Sequence, residues 1–216
     1  MGRTQHTYYR HRPMRRLSGD VIVLVTGIVV LATSTLAALP HSPGDVEVAV
    51  FGWLNHAGDV PRALAWVPMQ LGNVVVVPVS ALVALALGRV RLALALGGAG
   101  MLAWVAAKGV KDVVERGRPG ALVDDAVLRD AHAGGLGFPS GHVAVAVALA
   151  FVVWPHLGRA ARTAVLVSAT LVGILRVYVG AHLPLDITGG AGVGMACAGA
   201  VRSVWRGSGR EAMVSR

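Results

Sequence analysis

The sequence predicts an all-α membrane protein, a polytopic bundle of six transmembrane helices with both termini on the cytoplasmic side. Apolar residues make up 55% of the 216-residue chain and charged residues only 14%, which is less charge than a soluble domain of this length carries. The apolar residues form six long runs, and the arginines between them favour alternate loops. The length fits one membrane domain, 20–205, between a basic amino-terminal tail at 1–19 and a carboxyl-terminal tail at 206–216.

Most of the apolar runs approach the roughly 20 residues that a helix needs to cross a bilayer. The six predicted spans are Val21–Leu39, Ala63–Gly88, Leu92–Val110, His142–Trp154 with its flanks, Thr163–Ala181 and Pro184–Trp205. The second run contains Pro68 and Pro78, so we expect it to start late, to bend, or both. The first run has a longer apolar core than a signal peptide and only a weak cleavage site, which favours a retained anchor. Between these two runs, residues 46–56 fit either a short interfacial helix or an ordinary loop.

The distribution of charge sets the predicted orientation. Both termini and the loops at 89–91 and 155–162 together contain 13 arginines, no lysine and two acidic residues. The opposite set of segments contains the other seven basic residues and nine acidic ones. Cytoplasmic loops are enriched in Arg and Lys, so the first set is predicted to be cytoplasmic and the second extracytoplasmic.

Composition also excludes several classes of protein. The formal charge of +9 does not indicate nucleic-acid binding, because the basic residues stand in short clusters between apolar runs and only 11 residues are aromatic. Cys197 is the sole cysteine and lies within an apolar run, so the chain has neither a disulfide framework nor a thiolate metal site.

Three short polar segments on the predicted outer side carry the candidate chemistry. In the first, Lys111 is followed seven residues later by Arg118 and a proline. These cations bracket the end of the third span and fit either interfacial snorkelling or the binding of an anion. The second segment is Pro139-Ser140-Gly141-His142, in which Ser140 suits a helix cap and Gly141 allows an anion to approach the helix amino terminus. A plain capping turn with an interfacial histidine is the alternative.

The third segment runs from Arg176 to Asp186. Arg176 lies inside the fifth span, a costly position unless an anion meets it. His182 falls in the following link, and Asp186 comes four residues later, in the first turn of a helix that Pro184 would begin. Asp186 either complements the helix dipole or accepts a hydrogen bond from one ring nitrogen of His182, which would raise the nucleophilicity of the other nitrogen.

Together the patterns Lys-x6-Arg-Pro, Pro-Ser-Gly-His and Arg-x5-His-x3-Asp resemble the signature of the type 2 phosphatidic acid phosphatases. Their superfamily also contains vanadium haloperoxidases and soluble bacterial acid phosphatases. Ten specified positions match in order, and the six-span layout covers the chain from Val21 to Trp205. Leu175 stands where the family usually has serine, for which we expect a change in packing rather than loss of activity.

The resemblance implies a metal-independent lipid phosphatase that needs no cofactor. It assigns phosphate binding to five residues: Lys111, Arg118, Ser140, Gly141 and Arg176. His182 would attack phosphorus and form a phosphohistidine, with Asp186 orienting its ring. His142 would protonate the leaving oxygen and then act as the base for water.

Location suggests the substrate, a phosphate head group whose lipid tail stays in the bilayer. Polyprenyl diphosphate (undecaprenyl diphosphate among them), phosphatidic acid and phosphatidylglycerol phosphate all fit. A composition rich in Ala, Val, Gly and Arg and nearly without Lys is typical of a GC-rich bacterial genome. With the charge distribution, it favours a bacterial plasma membrane protein whose site faces the extracytoplasmic side. A non-enzymatic lipid-phosphate binder and a transporter are the alternatives. The retained His142, His182 and Asp186 disfavour the first, and the clustering of polar residues at one face disfavours the second.

Overall fold

The computed structural model describes residues 19–214, with side chains up to residue 205. In this part of the chain the structure is helical, and its β-structure is limited to one isolated bridge. Nine α-helices follow one another: α1 (Gly19–Ala38), α2 (Asp45–Asn55), α3 (Arg62–Met69), α4 (Val76–Ala86), α5 (Val90–Val114), α6 (Pro119–Leu122), α7 (Gly141–Val153), α8 (Arg159–Tyr178) and α9 (Pro184–Val214). The predicted all-α class is confirmed, whereas the predicted tail at 1–19 falls almost wholly outside the described residues.

Among the helices of residues 19–214, three are long and apolar enough to cross a membrane, namely α1, α5 and α8. The second predicted run is broken as expected: α3 and α4 meet at an angle of 67° and would count as a fourth span if taken together. Pro68 lies in α3, and a 3₁₀ turn at Gln70–Gly72 separates the two helices. Helix α7 is apolar but shorter, with 13 residues.

Helix α9 lies at the centre of the bundle, in contact with α1, α5 and α7. Its glycines allow this position. A Cβ atom at Gly192 would lie 2.5 Å from the backbone nitrogen of Leu31 in α1, and one at Gly190 would lie 2.5 Å from the carbonyl oxygen of Ser140. Small residues at helix contacts in membranes let backbones approach closely. The packing of α9 therefore depends on the absence of side chains at these two positions.

The outer surface of the bundle is apolar. Large aliphatic side chains project from α1, α4, α5 and α8, and Leu36 on α1 is 67% exposed. Charged groups are instead buried at the two ends of the bundle, with Asp20 paired to Arg202 at one end and Arg116 paired to Glu47 at the other. A large apolar exterior, with buried charges confined to the ends of the bundle, is the arrangement expected of a protein in contact with lipid.

In the segment 46–56, residues 46–55 are helical and His56 caps the helix, so the loop alternative is wrong. Helix α2 packs over the ends of α8 and α9, where Phe51 is fully buried in a cluster with Val177 and Leu183. Asn55 at its last position donates hydrogen bonds to the carbonyl oxygens of Val127 and Tyr178, each 2.9 Å long. Helix α2 and the loop before α7 thus cover one end of the bundle, and all three polar segments lie at that end.

The glycine contacts can be tested by adding a single methyl group. Gly192→Ala should lower the free energy of unfolding by about 1–3 kcal/mol, because the new Cβ meets backbone atoms of α1 that cannot move aside. Gly98→Ala on α5 is the control, since no atom lies within 4 Å of its added Cβ. Thermal unfolding in detergent measures both, and equal unfolding temperatures for the two variants would contradict the proposed packing.

Candidate active site

Backbone hydrogen bonds bring the three polar segments together. An isolated antiparallel bridge joins Gly117 to Leu136, and the N–H of Gly137 donates to the carbonyl oxygen of Arg116 (2.7 Å). The N–H of Ser140 donates to the carbonyl oxygen of Asp186 (2.8 Å), which fixes the start of α7 against the start of α9. The end of α5, the start of α7 and the link between α8 and α9 therefore meet in one place.

The imidazole of His182 and the carboxylate of Asp186 form a buried pair. Nδ1 of His182 lies 3.1 Å from Oδ2 of Asp186, and the N–H of Leu183 donates to the same oxygen (3.0 Å). Pro184 begins α9, so Asp186 occupies its first turn as expected. With the Nδ1 proton directed to the carboxylate, Nε2 carries the free lone pair.

Burial holds the pKa of His182 well below its usual value, and the charges of Arg176, Lys111 and Arg118 lower this pKa further. Three cations are thus close enough to act on one ring. This environment favours the neutral imidazole, which is the state that a nucleophilic histidine requires.

Lys111 holds the loop that precedes α7. Its ammonium group donates to the carbonyl oxygens of Leu136 (3.0 Å) and Gly137 (2.6 Å). An ammonium group has three N–H donors, so one remains for a further acceptor. The side chain therefore combines a structural contact with a positive charge at the site.

Several buried donors at the site have no partner in the part of the chain that the structure describes. They are Nε of Arg118, Nε of Arg176 and the hydroxyl of Ser140. Ser140 occupies the amino-terminal cap position of α7, yet its hydroxyl makes no capping hydrogen bond. Buried polar groups without a partner are rare in folded proteins and indicate a missing ligand, ion or water. Cationic and hydroxyl donors grouped in this way suit an oxyanion.

His142 and Arg176 line a cavity of about 600 Å³, a size typical of small-molecule sites. The cavity extends from these residues along α3 and the break after it, to Trp66 and Asn73. His142 is the second residue of α7, beside the first helical position at Gly141. Of the eight candidate residues, His142 and Arg176 line the cavity, whereas the other six do not.

Leu175 is buried in a cluster with Ala65 and Met69 of α3. Its side chain therefore packs against the helix that forms the opposite wall of the cavity. The position takes part in the packing between α8 and α3.

Sequence reasoning missed two residues that lie against the site, Arg116 and Glu47. The guanidinium of Arg116 is fully buried, within 3.5 Å of Asp186 and in a bidentate contact with Glu47. Arg116 stands two residues before Arg118, and that proximity was the available signal. Glu47 lies outside all three segments and carries no motif.

The unpartnered donors predict binding of orthovanadate, a mimic of phosphate. Arg176→Gln should weaken vanadate binding by about 10- to 100-fold, since a hydrogen bond to a charged group is worth about 1.5–3 kcal/mol. Arg62→Gln is the control, because Arg62 at the rim is 77% exposed and already paired with Asp130 at 2.9 Å. Isothermal titration of the purified protein measures the affinity. Equal affinities for the two variants would show that Arg176 does not contact the anion.

Comparison with known proteins adds a family and two structures. A family model described as PAP2 superfamily matches residues 79–210, more than half of the chain. The crystal structure of Aquifex aeolicus LpxE aligns with a TM-score of 0.64 and 26% identity, over 75% of this chain and 98% of that one. The first transmembrane PAP2 type phosphatidylglycerolphosphate phosphatase from Bacillus subtilis aligns with a TM-score of 0.59 over 88% of this chain and 97% of its own.

At 19% identity, the second likeness shows the fold alone. Among curated proteins, no sequence matches this chain. The matched region contains the three polar segments complete, from Lys111 to Asp186. The chain therefore belongs to the PAP2 superfamily, as a membrane-bound phosphoric ester hydrolase of the lipid phosphatase class.

Proposed function

We propose that the protein hydrolyses a phosphomonoester or diphosphate on a membrane lipid, without a metal, through a phosphohistidine on His182. The observation that carries this proposal is the buried imidazole that Asp186 orients near three unpartnered donors. Nucleophile, orienting group and oxyanion donors are the elements that phosphoryl transfer to a side chain requires.

Binding of the phosphate falls to the five residues predicted for it. Arg118, Arg176 and the hydroxyl of Ser140 offer the donors that lack partners, and Lys111 offers its remaining N–H. The backbone N–H at Gly141 stands at the amino terminus of α7, where a helix favours an anion. The three cations offset the charge that other phosphoryl-transfer enzymes share with magnesium.

Two displacements complete the reaction. In the first, Nε2 of His182 bonds to phosphorus while the bond from phosphorus to the leaving oxygen breaks, and His142 gives its proton to that oxygen. In the second, water attacks phosphorus and gives its proton to His142. The bond from phosphorus to nitrogen then breaks, the electron pair returns to His182, and phosphate is released. Asp186 stays hydrogen-bonded to Nδ1 throughout and stabilises the charge that develops on the ring.

The proposed topology has six spans within one membrane domain, 20–205, with both terminal segments in the cytoplasm of a bacterial cell. The mean hydropathy of α9 need not be high, because α1, α5 and α7 surround it and separate it from lipid. Helix α7 is likewise lined with buried residues and is shielded by its neighbours. The arginine-rich loops at 89–91 and 155–162 support the cytoplasmic assignment of the end opposite the site.

The proposed substrates are a polyprenyl diphosphate, phosphatidic acid and phosphatidylglycerol phosphate. The cavity supports a lipid because its wall includes the exposed Trp66 and the buried Met69 of α3, while its inner end carries Arg176 and His142. The likeness to LpxE, at 26% identity, supports the same class.

Replacement of the nucleophile tests the reaction directly. His182→Ala should lower phosphate release from these lipids by more than about 1,000-fold, in EDTA-treated protein, because no other group can form the intermediate. His156→Ala is the control, since His156 is exposed at the far end of the bundle and should leave the rate unchanged. Phosphate release in detergent measures both. Full activity of His182→Ala would refute the proposed mechanism.

The orientation is tested by labelling single cysteines in intact cells. Asp124→Cys, exposed near the site, should react with a membrane-impermeant maleimide, whereas Ala160→Cys at the other end should react only after the cells are opened. The native Cys197 is buried and contributes little background. Labelling of Ala160→Cys alone in intact cells would reverse the proposed orientation.

A further inference from the structure

The carboxylate of Asp186 makes different contacts through its two oxygens. Oδ2 accepts from Nδ1 of His182 and from the N–H of Leu183. Oδ1 faces away from the ring, toward Nη1 of Arg116 at 3.5 Å. The orientation of the carboxylate plane, and with it the orientation of the imidazole, therefore depends on what holds Oδ1.

Arg116 is itself fixed on several sides. Its two terminal nitrogens contact Glu47 in a fork, with Nη2 to Oε2 at 2.5 Å and Nη1 to Oε1 at 3.1 Å. Its Nε donates to the carbonyl oxygen of His41 at 3.4 Å. A bidentate pair of this kind fixes direction as well as distance. The guanidinium has no exposed surface, so water does not replace these contacts.

Glu47 also holds the start of α9 directly. Its Oε1 accepts a hydrogen bond from the backbone N–H of Leu185 (3.0 Å), the residue before Asp186. Glu47 belongs to the first turn of α2, a helix outside the polar segments that carry the chemistry. One side chain of α2 thus fixes both the cation behind Asp186 and the backbone that carries Asp186.

The buried charges of Glu47, Arg116 and Asp186 are not the arrangement expected if stability alone were the reason for them. Replacing a buried ion pair by apolar side chains of similar volume is often neutral or stabilising, because desolvation of the charges opposes their attraction. Here Arg116 and Glu47 are both buried, at the covered end of the bundle and next to the candidate nucleophile. Their contacts are better explained by the geometry that they impose than by stabilisation.

We propose that Arg116 and Glu47 are positioning residues, which hold Asp186 so that it directs Nε2 of His182 at phosphorus. This inference rests on the proposed phosphatase function. It adds to that function a part for α2, the helix between the first two predicted spans. The contacts form a chain: His182 contacts Asp186, Asp186 contacts Arg116, and Arg116 contacts Glu47. In this proposal neither Arg116 nor Glu47 touches the substrate.

The test replaces the pair by apolar residues in the double variant Arg116→Met/Glu47→Leu. This variant should unfold at a lower temperature than the wild type, because Oδ1 of Asp186 and the N–H of Leu185 lose their partners, whereas kcat per folded molecule should fall about 10- to 100-fold because Asp186 is no longer held in place. KM should change by less than about threefold, because the phosphate donors are untouched. The matched control is Asp20→Leu/Arg202→Met, which removes the buried pair at the far end and should keep kcat.

A conservative replacement separates positioning from folding. Arg116→Lys keeps the positive charge but cannot form the fork, so its kcat should lie between those of the wild type and the double variant. A kcat within twofold of the wild type in both Arg116 variants would overturn the proposal. The same holds if both variants lose kcat only in proportion to a lower folded fraction.

Anion titration tests the inference without a lipid. Vanadate can accept Nε2 of His182 as a fifth ligand, so its affinity depends on the direction of the imidazole. The affinity for inorganic phosphate depends only on the hydrogen-bond donors. The double variant should bind vanadate about tenfold more weakly than the wild type and phosphate equally well. If the wild type releases no phosphate from any lipid, the phosphatase proposal fails. The titration still decides the positioning role, and an unchanged vanadate affinity would overturn it.

Discussion

The position of Asp186 in the first turn of α9 is the constraint on which the rest of the site depends. Its carbonyl oxygen accepts a hydrogen bond from the N–H of Ser140. Its carboxylate is hydrogen-bonded to Nδ1 of His182 and accepts a further hydrogen bond from the N–H of Leu183. One residue therefore sets the start of α7, the direction of the imidazole and the path of the link after α8. The geometry of the candidate site is tied to helix packing, because moving α9 would displace each of these groups together.

This dependence explains why the centre of the bundle is built from small residues. Gly190 lets α9 approach the carbonyl oxygen of Ser140, and Gly192 lets α1 approach from the other side. The hydrogen bond from Ser140 to Asp186 forms only if the two helix starts are this close. Apolar packing in the membrane region and polar contacts at its edge are thus two parts of one arrangement.

Much of the site was predictable because its chemistry is encoded in short spacings. The four-residue interval from His182 to Asp186 across a helix start places their side chains in contact, and the sequence shows that interval directly. Arg116 and Glu47 were not predictable, since their pairing joins residues 69 positions apart through a helix that carries no motif. The second span was predicted to start late, to bend, or both, because it contains Pro68 and Pro78. The sequence does not give the 67° angle, which arises where α3 packs against α8.

The break between α3 and α4 also bears on whether the rate of turnover follows the bulk concentration of a lipid substrate or its mole fraction in the membrane. The cavity follows α3 to this break and so reaches the flank of the bundle, beside the half-exposed Trp66. A lipid that enters from the flank diffuses in two dimensions and never passes through water. The variable that sets its rate of encounter is then its mole fraction in the membrane. Diluting the substrate with detergent would slow the reaction even at a constant bulk concentration.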